Sequence, residues 1–224
     1  QRLDERRRST FRFHHVSTDE VFGSLSLSEM NGFDESSNYN PSSPYSASKA
    51  AADHLVRAWA RTYGLPVLVS NTSNNYGPYQ HPEKFIPTVV IAGLRGAPIP
   101  IYGHGRNVRD WLYVEDHAQA LVHILTRGTP QETYCVGGGA ERSNIDLARA
   151  ICGILDERSP RSDGQRRACQ ITFVQDRPGH DLRYAITSSK MREKFGFSPA
   201  TSFAAGLRKT VNWYVDNESW WGPV

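Results

Sequence analysis

The sequence predicts an α/β fold whose strands run largely parallel. Short runs rich in β-branched and aromatic residues, such as 11–17 and 67–70, alternate with longer amphipathic segments such as 44–63. Strands separated by helices in this way build βαβ units, in which the strands are parallel. With 224 residues, the chain is long enough for one domain, or one and a half, with a sizeable core.

Capping and helix-breaking residues mark the predicted elements in chain order. Ser42 or Ser43 caps the Ala-rich helix, Pro44 suits its first position and Gly64 ends it. The Ser-, Asn- and Pro-rich residues 23–43 before it predict a long loop. Helices are then predicted over 85–95, 115–127, 144–156, 188–196 and 203–217, and extended segments over 98–102, 108–114, 133–136 and 171–174.

Charge and cysteine content narrow the possible functions. The net charge is +3, from 26 basic and 23 acidic residues, and acidic residues interrupt the arginines of residues 1–11, which predict a helix end and a turn. No apolar stretch approaches the ~18 residues of a membrane span, and the first residues have no signal-peptide pattern. Cys135, Cys152 and Cys169 lack C-x-x-C and Cys/His spacing. We therefore expect reduced, buried thiols, no metal site, and a cytoplasmic protein that binds neither nucleic acid nor membranes.

Tyr45 and Lys49 form an i, i+4 pair near the start of the helix predicted over 44–63, so both side chains lie on one face. A lysine ammonium beside a phenol favours the phenolate, which predicts a tyrosine with a lowered pKa that can act as a base. Taken alone, the pair is also compatible with two surface residues on an ordinary helix.

Two adjacent carboxylates, Asp19 and Glu20, follow the first predicted strand within HHVSTDEVFG. They are either the polar exit of a strand or a pair of proton-transfer groups at its carboxyl end. Neighbouring carboxyls disfavour double ionisation, so their apparent pKa values separate, which suits one acid and one base.

Several ordered segments resemble the extended, nucleotide-sugar-modifying branch of the short-chain dehydrogenase/reductase (SDR) superfamily, and most specifically the dTDP-glucose 4,6-dehydratase family. They span nearly the whole chain and include HHVSTDEVFG, SPYSASKAAADHLVRAWARTYGLP, SNNYGPYQHPEKFIP, IPIYGHGRNVRDWLYVEDHAQAL and RPGHDLRYAI.

The resemblance implies the C-terminal part of an NAD-binding Rossmann fold with a small α/β substrate-binding domain. Residues 1–78 would be a partial Rossmann domain with its late strands and catalytic helix. Residues 79–224 would form mainly the nucleotide-sugar domain, with 106–135 returning to the Rossmann sheet. Asn71 stands where the family usually has arginine, so the start of that loop is expected to be held differently.

The resemblance also assigns catalytic roles. In the family, hydride leaves sugar carbon 4 for NAD, water is lost across carbons 5 and 6, and hydride returns to carbon 6. Tyr45 would be the base for the 4-hydroxyl, Lys49 would tune Tyr45 and hold the nicotinamide ribose, and Thr18 would hydrogen-bond the 4-oxygen. Glu20 would take the carbon-5 proton, and Asp19 would protonate the departing hydroxyl.

Binding residues follow from the same resemblance. NAD would be held by Ser17, Tyr45, Lys49 and Asn74. The nucleotide sugar, dTDP-glucose by resemblance, would be bound by Asn74, Lys84, Tyr102, Arg109, Arg177 and His180. Arginine donors suit the oxygens of a diphosphate, but without the resemblance Arg109 is as readily interpreted as an ion-pair partner of Asp110. His14 and His15 are expected to be hydrogen-bonded core histidines.

The sequence contains no Gly-rich strand–turn–helix for the NAD pyrophosphate. Gly137–Gly139 follows a strand, but in the family this is a substrate-domain connection. By resemblance the chain begins just before the family's fifth strand, which predicts a fragment inactive alone, and a homodimer through helix 44–63. The alternatives are another nucleotide-sugar dehydratase, decarboxylase or epimerase of this group, or a catalytically silent nucleotide-sugar-binding or interaction protein.

Overall fold

The computed structural model describes Arg7 and residues 10–223. The helix end and turn predicted for residues 1–11 therefore lie almost wholly outside the described residues. Within the described ranges, no helix has both the length and the apolar character needed to cross a membrane.

The strands lie close to their predicted positions, with two short additions. They are β1 (Phe13–Thr18), β2 (Val67–Thr72), β3 (Asn74–Tyr76), β4 (Ile99–Tyr102), β5 (Val108–Tyr113), β6 (Thr133–Val136), β7 (Glu141–Ser143) and β8 (Ile171–Val174). The sequence does not predict β3 and β7, because three residues are too few to show a period-2 pattern.

The helices lie close to their predicted positions, with one short addition after the last predicted helix. They are α1 (Pro44–Tyr63), α2 (Phe85–Arg95), α3 (Val114–Arg127), α4 (Asn144–Arg158), α5 (Ser189–Phe195), α6 (Phe203–Asp216) and α7 (Glu218–Trp221). The hydroxyl of Ser43 accepts a hydrogen bond from the Ser46 amide at 3.1 Å, and Gly64 ends α1 in the left-handed conformation. Short 3₁₀ helices cover Asp19–Phe22 and Arg167–Gln170.

The site depends on a parallel three-stranded sheet of order β1-β2-β6. Thr18 of β1 is paired with Thr72 of β2, and Thr72 with Val136 of β6, so the three strands end side by side. Strand β5 lies in a separate sheet, parallel to β3 and antiparallel to β7, and β4 pairs with β8.

Helices cover both faces of the β1-β2-β6 sheet. On one face Ala50 of α1 packs with Val21, Phe22 and Cys135. On the other face Ala120 and Ile124 of α3 pack on residues of β2 and β6. A larger core lies among α2, α4, α6 and the strands β4 and β5. Parallel strands with helices on both faces are the predicted α/β architecture.

Two sequence expectations need correction. Cys135 and Cys152 are buried, but Cys169 is exposed, because it lies in the second 3₁₀ helix at the protein surface. His14 and His15 are half-buried rather than core residues, since β1 is an edge strand among the described residues. Both are nevertheless hydrogen-bonded: a His14 ring nitrogen lies 3.0 Å from the Ser70 hydroxyl, and one of His15 lies 2.9 Å from the Asp53 carboxylate.

Candidate active site

A cavity of about 720 Å³ lies at the carboxyl ends of β1 and β2. Four segments line it. They are the end of β1 and the turn after it (17–20), the start of α1 (43–45), the end of β2 and the chain that follows (72–75, 80, 81 and 84), and a later loop (177–179, 181 and 184). Clefts outside the carboxyl ends of parallel strands are the usual ligand sites of open α/β sheets. The predicted residues Ser17, Thr18, Asp19, Glu20, Tyr45, Asn74, Lys84 and Arg177 all line this cavity.

The two carboxylates sit on a rigid turn. The chain leaves β1 at Thr18, whose hydroxyl oxygen accepts a hydrogen bond from the Glu20 amide at 3.3 Å and so caps the 3₁₀ helix. The next two side chains, Val21 and Phe22, are buried against α1. The turn that carries Asp19 and Glu20 is thus packed against the helix that carries Tyr45.

Asp19 and Glu20 have different surroundings. Asp19 is buried, and one of its carboxylate oxygens has no hydrogen-bond partner among the residues that the structure describes. Burial, and then the charges of Glu20 and Asp110, raise the pKa of Asp19 well above its usual value. Burial also raises the pKa of Glu20, but the positive charges of Arg109 and Arg177 oppose that rise. The site therefore holds a proton more firmly on Asp19 than on Glu20.

Tyr45 and Lys49 differ from the expectation in one respect. Tyr45 lines the cavity, whereas the Lys49 ammonium donates to the Val16 carbonyl at 3.1 Å. Burial and the negative charges of Glu20 and Asp19 raise the pKa of Tyr45. The predicted lowering of that pKa is wrong for this arrangement, because the phenol faces two carboxyls and the nearby ammonium is bound to the backbone.

A buried hydrogen-bond network lies beneath the turn, and sequence reasoning missed it. The fully buried Asp53 of α1 accepts hydrogen bonds from Tyr39 at 2.6 Å and from the Asn71 amide at 3.2 Å, and it is paired with His15. The Asn71 amide also donates to the Thr18 carbonyl at 3.1 Å. The sequence contains one signal for this network: Asp53 follows Lys49 at i+4, which places its carboxylate on the helix face that carries Tyr45 and Lys49.

Arg109 is not paired with Asp110, so that interpretation is wrong. Its guanidinium donates to the carbonyl oxygens of Asp181 at 2.9 Å and Val108 at 2.8 Å, and lies 4.3 Å from the ring centroid of Tyr184. Asp110 instead accepts hydrogen bonds from backbone amides of the loop after β6. Arg109 does not line the cavity, but its charge influences the pKa of both Asp19 and Glu20.

Tyr102 and His180 lie beside the cavity without lining it. A ring nitrogen of His180 is 2.7 Å from the Asp176 carboxylate, and the ring meets Tyr102 edge-on at 6.3 Å between centroids. Burial lowers the pKa of His180, although Asp176 opposes this effect. His180 therefore lies in the chain between two residues that line the cavity, Gly179 and Asp181, and its ring contacts Tyr102.

The residues at the β1 end fit the nicotinamide end of NAD. The Ser17 hydroxyl and the Asn74 side-chain oxygen are buried and have no hydrogen-bond partner among the described residues. Unpaired polar groups of this kind are costly unless a bound group satisfies them. Together with Tyr45 and Lys49, they could hold the carboxamide and ribose of the cofactor.

Gly137–Gly139 does not fit a pyrophosphate. The Gly137 amide donates to the Ser188 hydroxyl at 2.6 Å, and the amides of Gly138 and Ala140 donate to the Asp110 carboxylate at 2.8 and 2.7 Å. A carboxylate already occupies the place that a phosphate would need, as expected for a structural connection.

Comparisons with known proteins agree with this geometry. A family model described as GDP-mannose 4,6 dehydratase matches residues 2–210. The dTDP-glucose 4,6-dehydratase of Neisseria meningitidis serogroup B is 53% identical over 226 residues, covering 100% of this chain and 63% of the relative. That of Xanthomonas campestris pv. campestris is 55% identical over 218 residues, covering 97% of this chain and 62% of the relative.

The fold has a close counterpart among solved structures. The dTDP-glucose 4,6-dehydratase from Bacillus anthracis str. Ames, in complex with NAD, matches with a TM-score of 0.85 and 44% identity over 95% of this chain and 64% of that chain. These matches confirm the predicted fold class and the predicted resemblance to extended SDR dehydratases. The chain spans less than two thirds of the length of these relatives.

Proposed function

Because the chain belongs to the GDP-mannose 4,6-dehydratase family, we propose that it carries the acid–base residues of a dTDP-glucose 4,6-dehydratase, a lyase that removes water from a nucleotide sugar. One observation carries the proposal: Asp19 and Glu20 are adjacent in the cavity that Tyr45 also lines, and their surroundings hold a proton more firmly on Asp19 than on Glu20. Elimination of water requires such a pair of one acid and one base.

Each residue then has one task. Tyr45 takes the proton of the sugar 4-hydroxyl, and Thr18 donates a hydrogen bond to the 4-oxygen. Glu20 removes the carbon-5 proton, which is acidic once carbon 4 is a ketone, and Asp19 protonates the hydroxyl that leaves carbon 6. Lys49, one turn from Tyr45, holds the cofactor ribose with Ser17 and Asn74. NAD, when bound, accepts the hydride from carbon 4 and returns it to carbon 6.

The nucleotide sugar is dTDP-glucose, with its diphosphate facing basic residues. Lys84 and Arg177 line the cavity, and Arg109 adds a positive charge behind its wall. Guanidinium groups bind phosphate oxygens in bidentate geometry, which is why two arginines suit this role. Tyr102 and His180 would contact the nucleoside end, and Asn74 the phosphates.

A homodimer through α1 is part of the proposal. Leu55, Trp59 and Tyr63, at i, i+4 and i+8, have exposed fractions of 62%, 55% and 69%. A stripe of large apolar side chains on one helix face favours packing against a second helix. We also propose a cytoplasmic location, and a division into a partial Rossmann domain over 1–78 and a nucleotide-sugar domain over 79–224, with 106–135 returning to the Rossmann sheet.

The test uses the full-length protein, with the upstream segment that its relatives possess, and dTDP-glucose as substrate. We expect formation of a 4-keto-6-deoxy product. The Asp19→Asn variant should slow elimination by about 10²–10³-fold while the initial oxidation changes far less, because only elimination needs the acid. Rapid-quench analysis of the sugar intermediates separates the two steps.

Asp163→Asn, an exposed carboxylate in the loop before β8, is the matched control and should retain wild-type rates. Equal losses of oxidation and elimination in Asp19→Asn would contradict the acid role. Full-length protein that binds dTDP-glucose without converting it would favour a silent binding protein. The isolated 224-residue chain, assayed in parallel, should bind NAD weakly and show no measurable turnover.

A further inference from the structure

The side chain of Asn71 is a fully buried amide that hydrogen-bonds to two different elements. It lies on the central strand of the β1-β2-β6 sheet with an exposed fraction of 0%. Its side-chain nitrogen donates both to the Thr18 carbonyl at 3.1 Å and to the Asp53 carboxylate at 3.2 Å. Because both partners are acceptors, the orientation of the amide is determined by the network.

The two partners of Asn71 belong to the two halves of the candidate active site. Thr18 is the last residue of β1 and caps the turn that carries Asp19 and Glu20. Asp53 lies one turn after Lys49 and two turns after Tyr45 on α1. One amide therefore links the backbone of the acid–base turn to the helix that carries the tyrosine.

Burial strengthens this link. Asp53 is also 0% exposed, and it is held by His15 and Tyr39 in addition to Asn71. A hydrogen bond to a buried carboxylate is stronger than one in water, and leaving that carboxylate short of a donor is costly. The carboxylate therefore orients the Asn71 amide firmly toward Thr18.

We propose that Asn71 is a positioning residue: by binding Asp53 and the Thr18 carbonyl together, it sets the separation between the Asp19–Glu20 turn and Tyr45. This inference rests on the proposed function. The residue touches no reacting atom, and it acts through the backbone of Thr18. Misplacement of catalytic groups by about 1 Å can reduce turnover about 10²-fold, so a single buried amide can have a large effect on rate.

The test compares two variants on the same strand of the full-length enzyme with dTDP-glucose. Asn71→Ala should lower kcat by about 10- to 100-fold, while KM and the affinity for dTDP change less than about twofold, because the basic residues stay in place. Asn71→Gln, which retains the amide donor, should recover part of the kcat. If Asn71→Ala does not fold, Asp53→Asn tests the other end of the link by the same kcat and KM measurements.

Ser70→Ala is the matched control, because it also removes a hydrogen bond from β2 to β1, the half-buried one with His14, on the opposite face of the sheet. It should lower the melting temperature by a similar amount and leave kcat within about twofold. The inference is overturned if Asn71→Ala keeps the wild-type kcat, or if Ser70→Ala loses as much. A wild-type enzyme that does not convert dTDP-glucose would instead contradict the proposed function.

Discussion

The carboxyl ends of β1 and β6 lie in one parallel sheet, on either side of β2, but they are built in opposite ways. At the β1 end, Ser17 and Asp19 have buried polar atoms without partners among the described residues, beside a large cavity. At the β6 end, backbone amides of the glycine loop donate to Asp110 and Ser188.

This difference separates a site from a structural connection. A glycine run after a strand has the composition of a phosphate loop, yet the amides of this loop are used within the protein. The end of β1 and the turn after it have no such motif, but the Ser17 hydroxyl and one Asp19 oxygen lack partners among the described residues. Unsatisfied polar groups around a cavity, rather than the motif alone, identify where a ligand binds.

The largest effect is expected from Gly138→Ala at the β6 end. A Cβ there would lie 1.9 Å from the Trp111 carbonyl oxygen, and backbone cannot move aside cheaply. We expect a loss of about 3 kcal/mol or more in the free energy of unfolding, measured by urea denaturation. Gly153→Ala in α4, where nothing lies within 4 Å of the new Cβ, is the control and should stabilise by up to about 1 kcal/mol.

A smaller effect, which compares the β6 end with the β1 end directly, is expected when an aspartate at each end is replaced by asparagine. Asp110→Asn replaces one of two accepting oxygens with an amide that faces a backbone N–H, and should cost about 2 kcal/mol. Asp19→Asn should be nearly neutral below pH 3.8, where the carboxyl is protonated in both the folded and the unfolded protein and the amide has the same shape.

The pH dependence gives the sign of the Asp19 effect. Its pKa is raised in the folded state, so above the unfolded value of 3.8 the folded protein binds more protons than the unfolded one. The stability contributed by Asp19 then falls as pH rises, by about 1.4 kcal/mol per pH unit, until the folded pKa is passed. Asp19→Asn should therefore become increasingly stabilising relative to wild type as the pH rises above 3.8. A constant difference would mean that Asp19 is ionised throughout.

The smallest expected effect is on thiol accessibility. Cys135 lies near the carboxyl end of β6 and is buried, and burial raises the pKa of its thiol well above the usual value. Cys169 is exposed. A thiol-reactive dye should label Cys169 in the native protein and reach Cys135 only on unfolding, because the thiolate is the reactive form. Labelling of Cys135 at the rate of Cys169 would mean that the β6 end opens readily.

The fold and the composition of the candidate site were largely predictable. The apolar periods, the Ser43–Pro44 start of α1 and its end at Gly64 are local signals, and the structure agrees with them. The residues predicted to be catalytic lie at the end of β1, in the turn after it and near the start of α1, and these three segments are close together in the structure. The exposure of Cys169 and the half-burial of the two histidines were not predictable, because both depend on which surfaces other segments cover.

The sequence by itself determined the α/β class, the bounds of the longer helices and strands, and the residue types available for acid–base chemistry, because each follows from patterns within a few residues. Only the tertiary structure decided how those residues are charged and held. The raised pKa of Tyr45, the link from Asp53 through Asn71 to Thr18, and the pairing of Asp110 with the glycine loop all join residues that are far apart in the chain. Such contacts depend on burial and on packing between elements, which no local pattern encodes.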